Sequence, residues 1–315
     1  MTGAQRYVVY GLVIESDLPL TSVDKAVDPQ AEPSIRIVLG PPDYFHAAAR
    51  GASPDPDDWI QHAVLADGGI YVKAEGLFET IVSRDGHCAV YRPLGEVDER
   101  SLEANLLNFV VSVALTLQGE EPLHATVIDL GGEVVGLLGL SGAGKSTLAA
   151  CFIGQGAELL TDDMLRLEFV DGTAIAYPGP YRLKLFDEPA QRFLPEARKH
   201  GAFNTLSGKY MVQPNKTVQS PRRPHPLSAL FWLGDAEAVP EPTTVSLKRL
   251  SGADLARNLI ASAMNSRYHQ PDRLVRQFRF SEQVAQSLPV YELSYPRKFE
   301  VMAQVVEEIR RAARL

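Results

Sequence analysis

The residues best suited to chemistry form a glycine-rich run at positions 139–147, Gly-Leu-Ser-Gly-Ala-Gly-Lys-Ser-Thr. The run fits the pattern G-x-x-x-x-G-K-[ST], whose glycines let successive backbone N–H groups curl around a polyphosphate. In that pattern Lys145 adds a positive charge near the β and γ phosphates, and the Ser146 hydroxyl is placed to bind Mg²⁺. The sequence therefore predicts a site for ATP and Mg²⁺.

The sequence on either side of this run supports the same interpretation. Residues 133–138 are an apolar stretch typical of a buried strand, and residues 148–153 continue as a helix, which is the context that the motif requires. The N-terminus of that helix would present its positive dipole end to the same anion. The predicted nucleotide ligands are Gly139, Ser141, Gly142, Ala143, Gly144, Lys145, Ser146 and Thr147.

Two adjacent acids, Asp162 and Asp163, follow Lys145 by 17 residues, which leaves room for one helix and one strand. At the end of a strand beside the glycine run, the pair can face both Mg²⁺ and an acceptor hydroxyl. One carboxylate would hold the metal and the other would accept a proton as general base. The alternative is a solvated turn with two acids, and the apolar Leu159 and Leu160 directly before the pair count against it.

His124 lies on a predicted strand, residues 123–129, shortly before the glycine run. A lone histidine in a strand is more often a satisfied core residue than a ligand, and the residue pattern alone favours that interpretation. A role in the site remains open on the sequence alone.

The composition is that of an ordinary globular protein of 315 residues with a net charge of −8. That charge gives no overall electrostatic case for nucleic acid or an anionic membrane as partner. Cys88 and Cys151 are far apart and in no metal-binding spacing, which suits a reducing compartment. No long apolar block follows Arg6, so we expect a cytoplasmic protein without a signal peptide.

Periodicity divides the chain into three parts. Residues 1–95 are predicted to form mainly antiparallel β-structure with turns at Asp-Gly pairs. Residues 96–121 are predicted to form a linking amphipathic helix, and residues 122–315 the catalytic domain. The helix has no Lys or Arg from Leu102 to Gln118, which favours burial of one face on a core over a membrane surface.

Several segments together resemble the catalytic domain of HPr kinase/phosphorylase. They are Leu123-His124-Ala125, the glycine run 139–147, and Leu160-Thr161-Asp162-Asp163. The opening segment 10–20 and the segment 177–185 are similar to stand-alone HPr-kinase-like proteins of lasso-peptide and related peptide-tailoring pathways.

The resemblance implies a P-loop kinase fold of the HPr kinase / PEP carboxykinase type, with a mixed sheet. It implies ATP- and Mg²⁺-dependent transfer of phosphate to a serine of a peptide or small protein, and a homo-oligomer. It makes Asp162 the catalytic acid/base, puts Asp163 nearer the metal beside Ser146, and lets His124 line the site.

One departure from the family pattern concerns the segment after the acid pair. Family members with both activities carry Glu-x-Arg-Gly-x-Gly-x there, whereas this chain has residues 178–185 with Arg182 and Lys184 but no glutamate. The family's second metal ligand and its phosphorylase activity therefore do not carry over from the motif.

Positively charged residues after this segment are candidates for phosphate or substrate contacts. No acid occurs from Arg198 to Gly234, while six cations occur from Arg198 to Arg223. Such a segment could close over phosphates or hold an acidic peptide, or it could be a solvated loop. The candidates are Arg182, Lys184, Lys209 and Arg267.

Three functions are compatible with these residues. The first is a serine kinase for a peptide or small protein, such as a ribosomally made lasso-peptide precursor. The second keeps the site but gives it a small acceptor, such as free serine or a sugar. The third is a nucleotide-binding regulatory module without turnover. None involves nucleic acid or a membrane.

Overall fold

The computed structural model describes residues 4–51, 60–204, 207–214, 223–234 and 244–314. The chain divides into two compact units. The N-terminal unit comprises Met1–Glu121 together with Asn265–His269, and the C-terminal unit comprises Pro122–Met264 and Gln270–Leu315. Within the described ranges, no helix combines the length and the apolar character needed to cross a membrane.

A single sheet organises the described part of the N-terminal unit, in the strand order β3-β1-β2-β4-β8-β7-β6-β5. β4 pairs in parallel with β2 and β8, and the other neighbours pair antiparallel. The predicted antiparallel pairing thus holds for the outer strands, while the centre is parallel. The strands are β1 Gln5–Val9, β2 Leu12–Ser16, β3 Asp24–Lys25, β4 Ile35–Leu39, β5 Ile60–Val64, β6 Ile70–Ala74, β7 Phe78–Val82 and β8 Cys88–Pro93.

The first hairpin shows how local sequence sets this sheet. Val9 pairs with Leu12, so Tyr10 and Gly11 form a two-residue turn. Both have positive φ, 55° and 73°, as a turn that matches the twist of the strands requires. Gly11 adopts this conformation without strain, and Tyr10 compensates by full burial of its ring.

The predicted amphipathic helix is present but is buried on nearly every face. After α1 (His46–Gly51), it runs as α2 (Glu99–Asn105), a π-helical turn (Leu106–Val110) and α3 (Val111–Leu117). Asp98 caps its N-terminus by accepting from the Ser101 amide at 2.9 Å. Several of its polar side chains have internal partners, as when Glu103 accepts from the amides of Thr21 and Ser22 at 2.9 and 2.8 Å. The prediction of a single buried face was therefore wrong.

The described part of the C-terminal unit contains a mixed sheet and a smaller three-stranded sheet. In the larger sheet β10, β17 and β19 are parallel neighbours, and antiparallel strands extend it. The smaller sheet has the order β14-β16-β15. The strands are β9 Ala125–Asp129, β10 Val134–Leu138, β11 Glu158–Thr161, β12 Leu167–Val170, β13 Thr173–Ala176, β14 Leu183–Leu185, β15 Ala202–Asn204, β16 Lys209–Val212, β17 His225–Leu233, β18 Ser246–Arg249 and β19 Val290–Ser294.

Helices cover both faces of the larger sheet, as the apolar strands predict. Phe231 packs with residues of α4 and α9, whereas the next residue, Trp232, packs with residues of α7 and α8. The two faces differ because successive side chains of a strand point in opposite directions. The mixed α/β class is thus confirmed. The helices are α4 Lys145–Gly154, α5 Asp187–Phe193, α6 Pro195–His200, α7 Gly252–Ser262, α8 Pro271–Ser287 and α9 Met302–Ala313.

Candidate active site

The glycine run lies between β10 and α4, as predicted. Gly139, Gly142 and Gly144 have φ values of 143°, 84° and 91°, a region that other residues rarely adopt. A Cβ atom at Gly139 would lie 2.9 Å from the carbonyl oxygen of Leu233, at the end of β17. The loop therefore requires glycine for backbone conformation at these positions, and at Gly139 for close packing as well.

The side chains of the loop divide into those turned inward and those near the surface. Ala143 is buried in the core, and its amide donates to the Leu140 carbonyl at 3.1 Å. Ser141 is exposed, while Ser146 and Thr147 are partly buried in the first turn of α4. The first amides of that helix have no acceptor within it, so they and the helix dipole favour an anion at this end.

Lys145 is buried, and its ammonium donates to the carbonyl oxygens of Gly139 and Leu140 at 2.7 and 3.0 Å. Burial lowers its pKa to about 8, and the charge of Lys209 acts in the same direction. Asp162 and Asp163 oppose this change. The lysine is thus held within the loop beside the acid pair.

Asp162 is buried at the end of β11 and faces the glycine run. Its Oδ1 accepts from Thr126 Oγ at 2.7 Å and from Ser146 Oγ at 3.4 Å. Its Oδ2 accepts from the backbone amide of Lys184 at 3.1 Å. Burial and the charge of Asp163 raise the pKa of Asp162, although these hydrogen bonds act against the change.

Asp163 differs from its neighbour in backbone and partners. Its φ is 70°, a left-handed conformation that costs energy for any residue with a Cβ atom. Its Oδ2 forms an ion pair with Lys184 Nζ at 2.7 Å. Burial alone would raise the pKa of Asp163, but the charges of Lys184 and Arg182 hold it well below the ordinary value. Asp163 is therefore an ionised carboxylate.

His124 lies just before β9 and holds the backbone of the acid pair. Its Nδ1 is 2.9 Å from the carbonyl oxygen of Asp163. A carbonyl only accepts, so Nδ1 carries the proton and Nε2 of the neutral ring keeps its lone pair. Burial and the charge of Lys145 lower the pKa of His124, which keeps the imidazole neutral near pH 7.

The structure brings two of the four substrate candidates, Lys184 and Arg182, to the acid pair. Lys184 holds both aspartates, one through its amide and one through its ammonium. Arg182 is buried and close enough to lower the pKa of Asp163. Lys209 Nζ lies 4.9 Å from the centroid of the Phe186 ring. Arg267 belongs to the N-terminal unit, where its Nη1 donates to the Ile60 carbonyl at 3.1 Å.

The predicted basic segment is only partly described. Lys216 and Arg222 lie outside the described residues. Arg198 forms an ion pair with Asp187 at 2.7 Å, and Lys199 with Glu196 at 2.6 Å. These two cations thus have carboxylate partners, one on α5 and one on α6 itself.

Sequence reasoning missed Thr126, the hydroxyl that donates to Asp162. The signal was available, because residues two apart in a strand share a face and Thr126 follows His124 by two positions. Both side chains contact the acid-pair segment. No sequence pattern indicated that the amide of Lys184 donates to Asp162, because β14 belongs to a different sheet from β11.

The oxygen ligands fit a magnesium–nucleotide complex. Mg²⁺ prefers hard oxygen ligands, and it usually binds one or two carboxylates together with waters and substrate phosphates. Ser146 and Asp162 place a hydroxyl and a carboxylate side by side. Within the described ranges, no group of three or more His, Cys, Asp or Glu side chains could hold a metal ion. A metal at this position would therefore share its coordination with a polyphosphate.

Comparison with known proteins adds likenesses to solved structures only. No protein-family model matches the chain, and no curated protein sequence matches it. The chain is similar to a solved structure of the Hpr(Ser) kinase/phosphatase from Coxiella burnetii, with 13% identity and a TM-score of 0.34. The match covers 60% of this chain and 94% of that one. A likeness of this degree carries no argument about activity, which must be argued from the geometry of the site.

Proposed function

We propose that this chain is an ATP- and Mg²⁺-dependent kinase that phosphorylates a serine hydroxyl of a peptide or small protein. One observation carries the proposal: the hydroxyl of Ser146, in the first turn of α4, lies 3.4 Å from Asp162 Oδ1. An ionised Asp163 follows directly in the chain. A phosphate-binding loop, a metal-binding pair and a second carboxylate are the parts that phosphoryl transfer to an alcohol requires.

The distances favour an assignment of Asp162 and Asp163 that is the reverse of the one implied by the sequence resemblance. Asp162 lies against Ser146, so we assign it to the metal, whose bound complex with ATP would neutralise charge on the phosphates. Asp163 is the more exposed acid and is ionised by Lys184. We assign it to the acceptor hydroxyl, which it would orient by accepting its hydrogen bond. Because its pKa is held low, Asp163 is a weak base, and it would take the proton only as the new oxygen–phosphorus bond makes that proton acidic. His124 is a positioning residue that holds the Asp163 carbonyl.

Nearby cations would neutralise the negative charge of the phosphates. Lys145 and the first turn of α4 would hold the β and γ phosphates, and Lys209 and Arg182 would balance charge on the transferred group. Because the transition state of phosphoryl transfer is loose, positioning and charge stabilisation provide most of the rate. The proposed acceptor is a ribosomally made precursor peptide.

Mass spectrometry of candidate peptides tests the proposal. The full chain is incubated with ATP, Mg²⁺ and peptides from short reading frames encoded beside it, and serine phosphorylation is measured. Asp163→Asn should lower transfer by about 10²-fold or more with ATP binding retained. Asp162→Asn should also weaken Mg²⁺-dependent ATP binding. Asp171→Asn is the matched control, because Asp171 also has positive φ, 48°, but is exposed in the β12–β13 turn.

The outcomes separate the three candidate functions. Phosphopeptide formed by the wild type and lost in Asp163→Asn supports a peptide kinase. ATP consumption with transfer only to free serine or a sugar would replace the acceptor in the proposal. Nucleotide binding without any ATP consumption would overturn the kinase assignment and favour a regulatory module.

A further inference from the structure

Arg297 lies at the edge of the C-terminal sheet where the glycine run begins. β10, β17 and β19 are parallel, so their carboxyl ends meet at this edge, where ligands of open α/β sheets bind. Arg297 follows β19, and its Nη2 donates to the carbonyl oxygen of Gly234, just after β17, at 2.6 Å. Its guanidinium carbon lies 4.2 Å from the centroid of the Tyr295 ring. Two contacts thus fix the side chain in place.

The other side of the guanidinium faces the glycine run. A methyl group added at Gly144 would lie 3.8 Å from Arg297 Nη1 and 3.6 Å from the Tyr295 hydroxyl. Nη1 itself is buried and has no hydrogen-bond partner within the described part of the chain. The arginine therefore lies beside the last glycine before Lys145 and keeps one donor unused.

The contacts of this guanidinium leave its charge uncompensated. They are the Gly234 carbonyl oxygen and the ring and hydroxyl of Tyr295, and none of these carries a negative charge. A buried charge without a counter-ion is unfavourable, and an unsatisfied buried donor in a native structure requires an explanation. A polyanion held by the adjacent loop would supply the missing negative charge.

We propose that Arg297 is a positioning residue for nucleotide binding, which holds the Gly144 end of the loop and attracts the polyphosphate by its charge. The ligand class is a nucleoside di- or triphosphate rather than an uncharged nucleoside. This inference rests on the nucleotide part of the proposed function and does not depend on the acceptor. It adds a residue 152 positions after Lys145 to the nucleotide site.

Titration of the full chain with ATP, ADP and AMP in Mg²⁺ tests the inference. Arg297→Met should weaken ATP binding about tenfold, since hydrogen bonds and charge contacts to ionised groups are of this order. It should weaken ADP binding less and AMP binding least, because the effect grows with the number of phosphates. Arg297→Lys keeps the charge and should retain most of the affinity. A purely structural role would leave ATP affinity near that of the wild type in Arg297→Gln, because glutamine can still donate to the Gly234 carbonyl but is uncharged.

Arg310 provides a matched control. Its guanidinium carbon lies 5.7 Å from the centroid of the Phe152 ring, and its Nη1 donates to the Leu130 carbonyl at 3.3 Å. It thus has the same kinds of partners in the same unit. Arg310→Met should leave nucleotide affinities unchanged, and circular dichroism without nucleotide establishes that each variant is folded. If Arg297→Met does not fold, Arg297→Gln replaces it, because glutamine can still donate to Gly234 but is uncharged.

The results separate this inference from the proposed function. Wild-type affinity in a folded, uncharged Arg297 variant would overturn the inference and leave the kinase proposal standing. Equal losses for ATP and AMP would overturn it as well. If the wild type binds none of the three nucleotides, both the inference and the proposed function fail.

Discussion

Replacing Lys184 by methionine removes the ammonium that lies 2.7 Å from Asp163 Oδ2. At that distance and an effective dielectric constant of about 20, the Coulomb attraction is about 6 kcal/mol. The side chains are only 16% and 17% exposed, so the cost of burying two charges offsets part of it. We expect Lys184→Met to lower the free energy of unfolding by about 3 kcal/mol at pH 7.

The loss should depend on pH in a defined direction. The pKa of Asp163 lies below its ordinary value because the charge of Lys184 outweighs the opposite effect of burial. A carboxyl group of this kind stabilises the fold above its unfolded pKa of about 4, and the stabilisation is lost as the pH falls through the folded pKa. The difference between wild type and Lys184→Met should therefore be largest near pH 7 and shrink in acid.

Urea unfolding at several pH values measures this difference. Lys199→Met is the control, because Lys199 and Glu196 form an ion pair of 2.6 Å in the same unit whose side chains are 61% and 79% exposed. Exposed pairs contribute little, so the control should lose far less stability than Lys184→Met. Equal losses in the two variants, or a loss in Lys184→Met that does not shrink in acid, would refute the reasoning.

The remaining predictions concern the nucleotide and transfer parts of the site. Ser146→Ala should weaken ATP binding about tenfold in Mg²⁺ but hardly at all in a chelator, and equal losses would contradict a metal role. Gly144→Ala should weaken ATP binding, because a φ of 91° costs other residues about 1–2 kcal/mol. Its control, Gly172→Ala, has a comparable φ of 76° in an exposed turn and should not affect titrations with ATP. Lys209→Ala should lower kcat about 10²-fold at normal protein yield; unchanged turnover would remove Lys209 from the site.

The parts of the site that sequence predicted are close together in the chain. The glycine run, α4 and the acid pair span residues 139–163, and their arrangement follows from local rules for strand, turn and helix. Positive φ at Gly142 and Gly144 was implied by residue type alone. The left-handed conformation of Asp163 could not be predicted from residue type, because it depends on contacts such as the hydrogen bond from His124.

The parts that sequence did not predict depend on distant contacts. β4 is parallel to both neighbours because of how the chain connects, and alternating patterns do not encode strand direction. The 99–117 helix is apolar enough to predict burial, yet burial of its polar face depends on partners such as Thr21 for Glu103. Arg297 reaches the glycine run only through the parallel pairing of β17 with β19.

The buried ammonium of Lys145 links nucleotide binding to proton uptake. Its ammonium already binds two loop carbonyls without a ligand, so the loop is preorganised. When a polyphosphate binds, the ammonium exchanges these carbonyl oxygens for phosphate oxygens. Burial lowers the pKa of Lys145 to about 8, and a polyanion beside it would raise that pKa. Nucleotide binding and proton uptake are therefore linked: near pH 8 part of a proton enters the protein with each nucleotide, and affinity declines as the pH rises further.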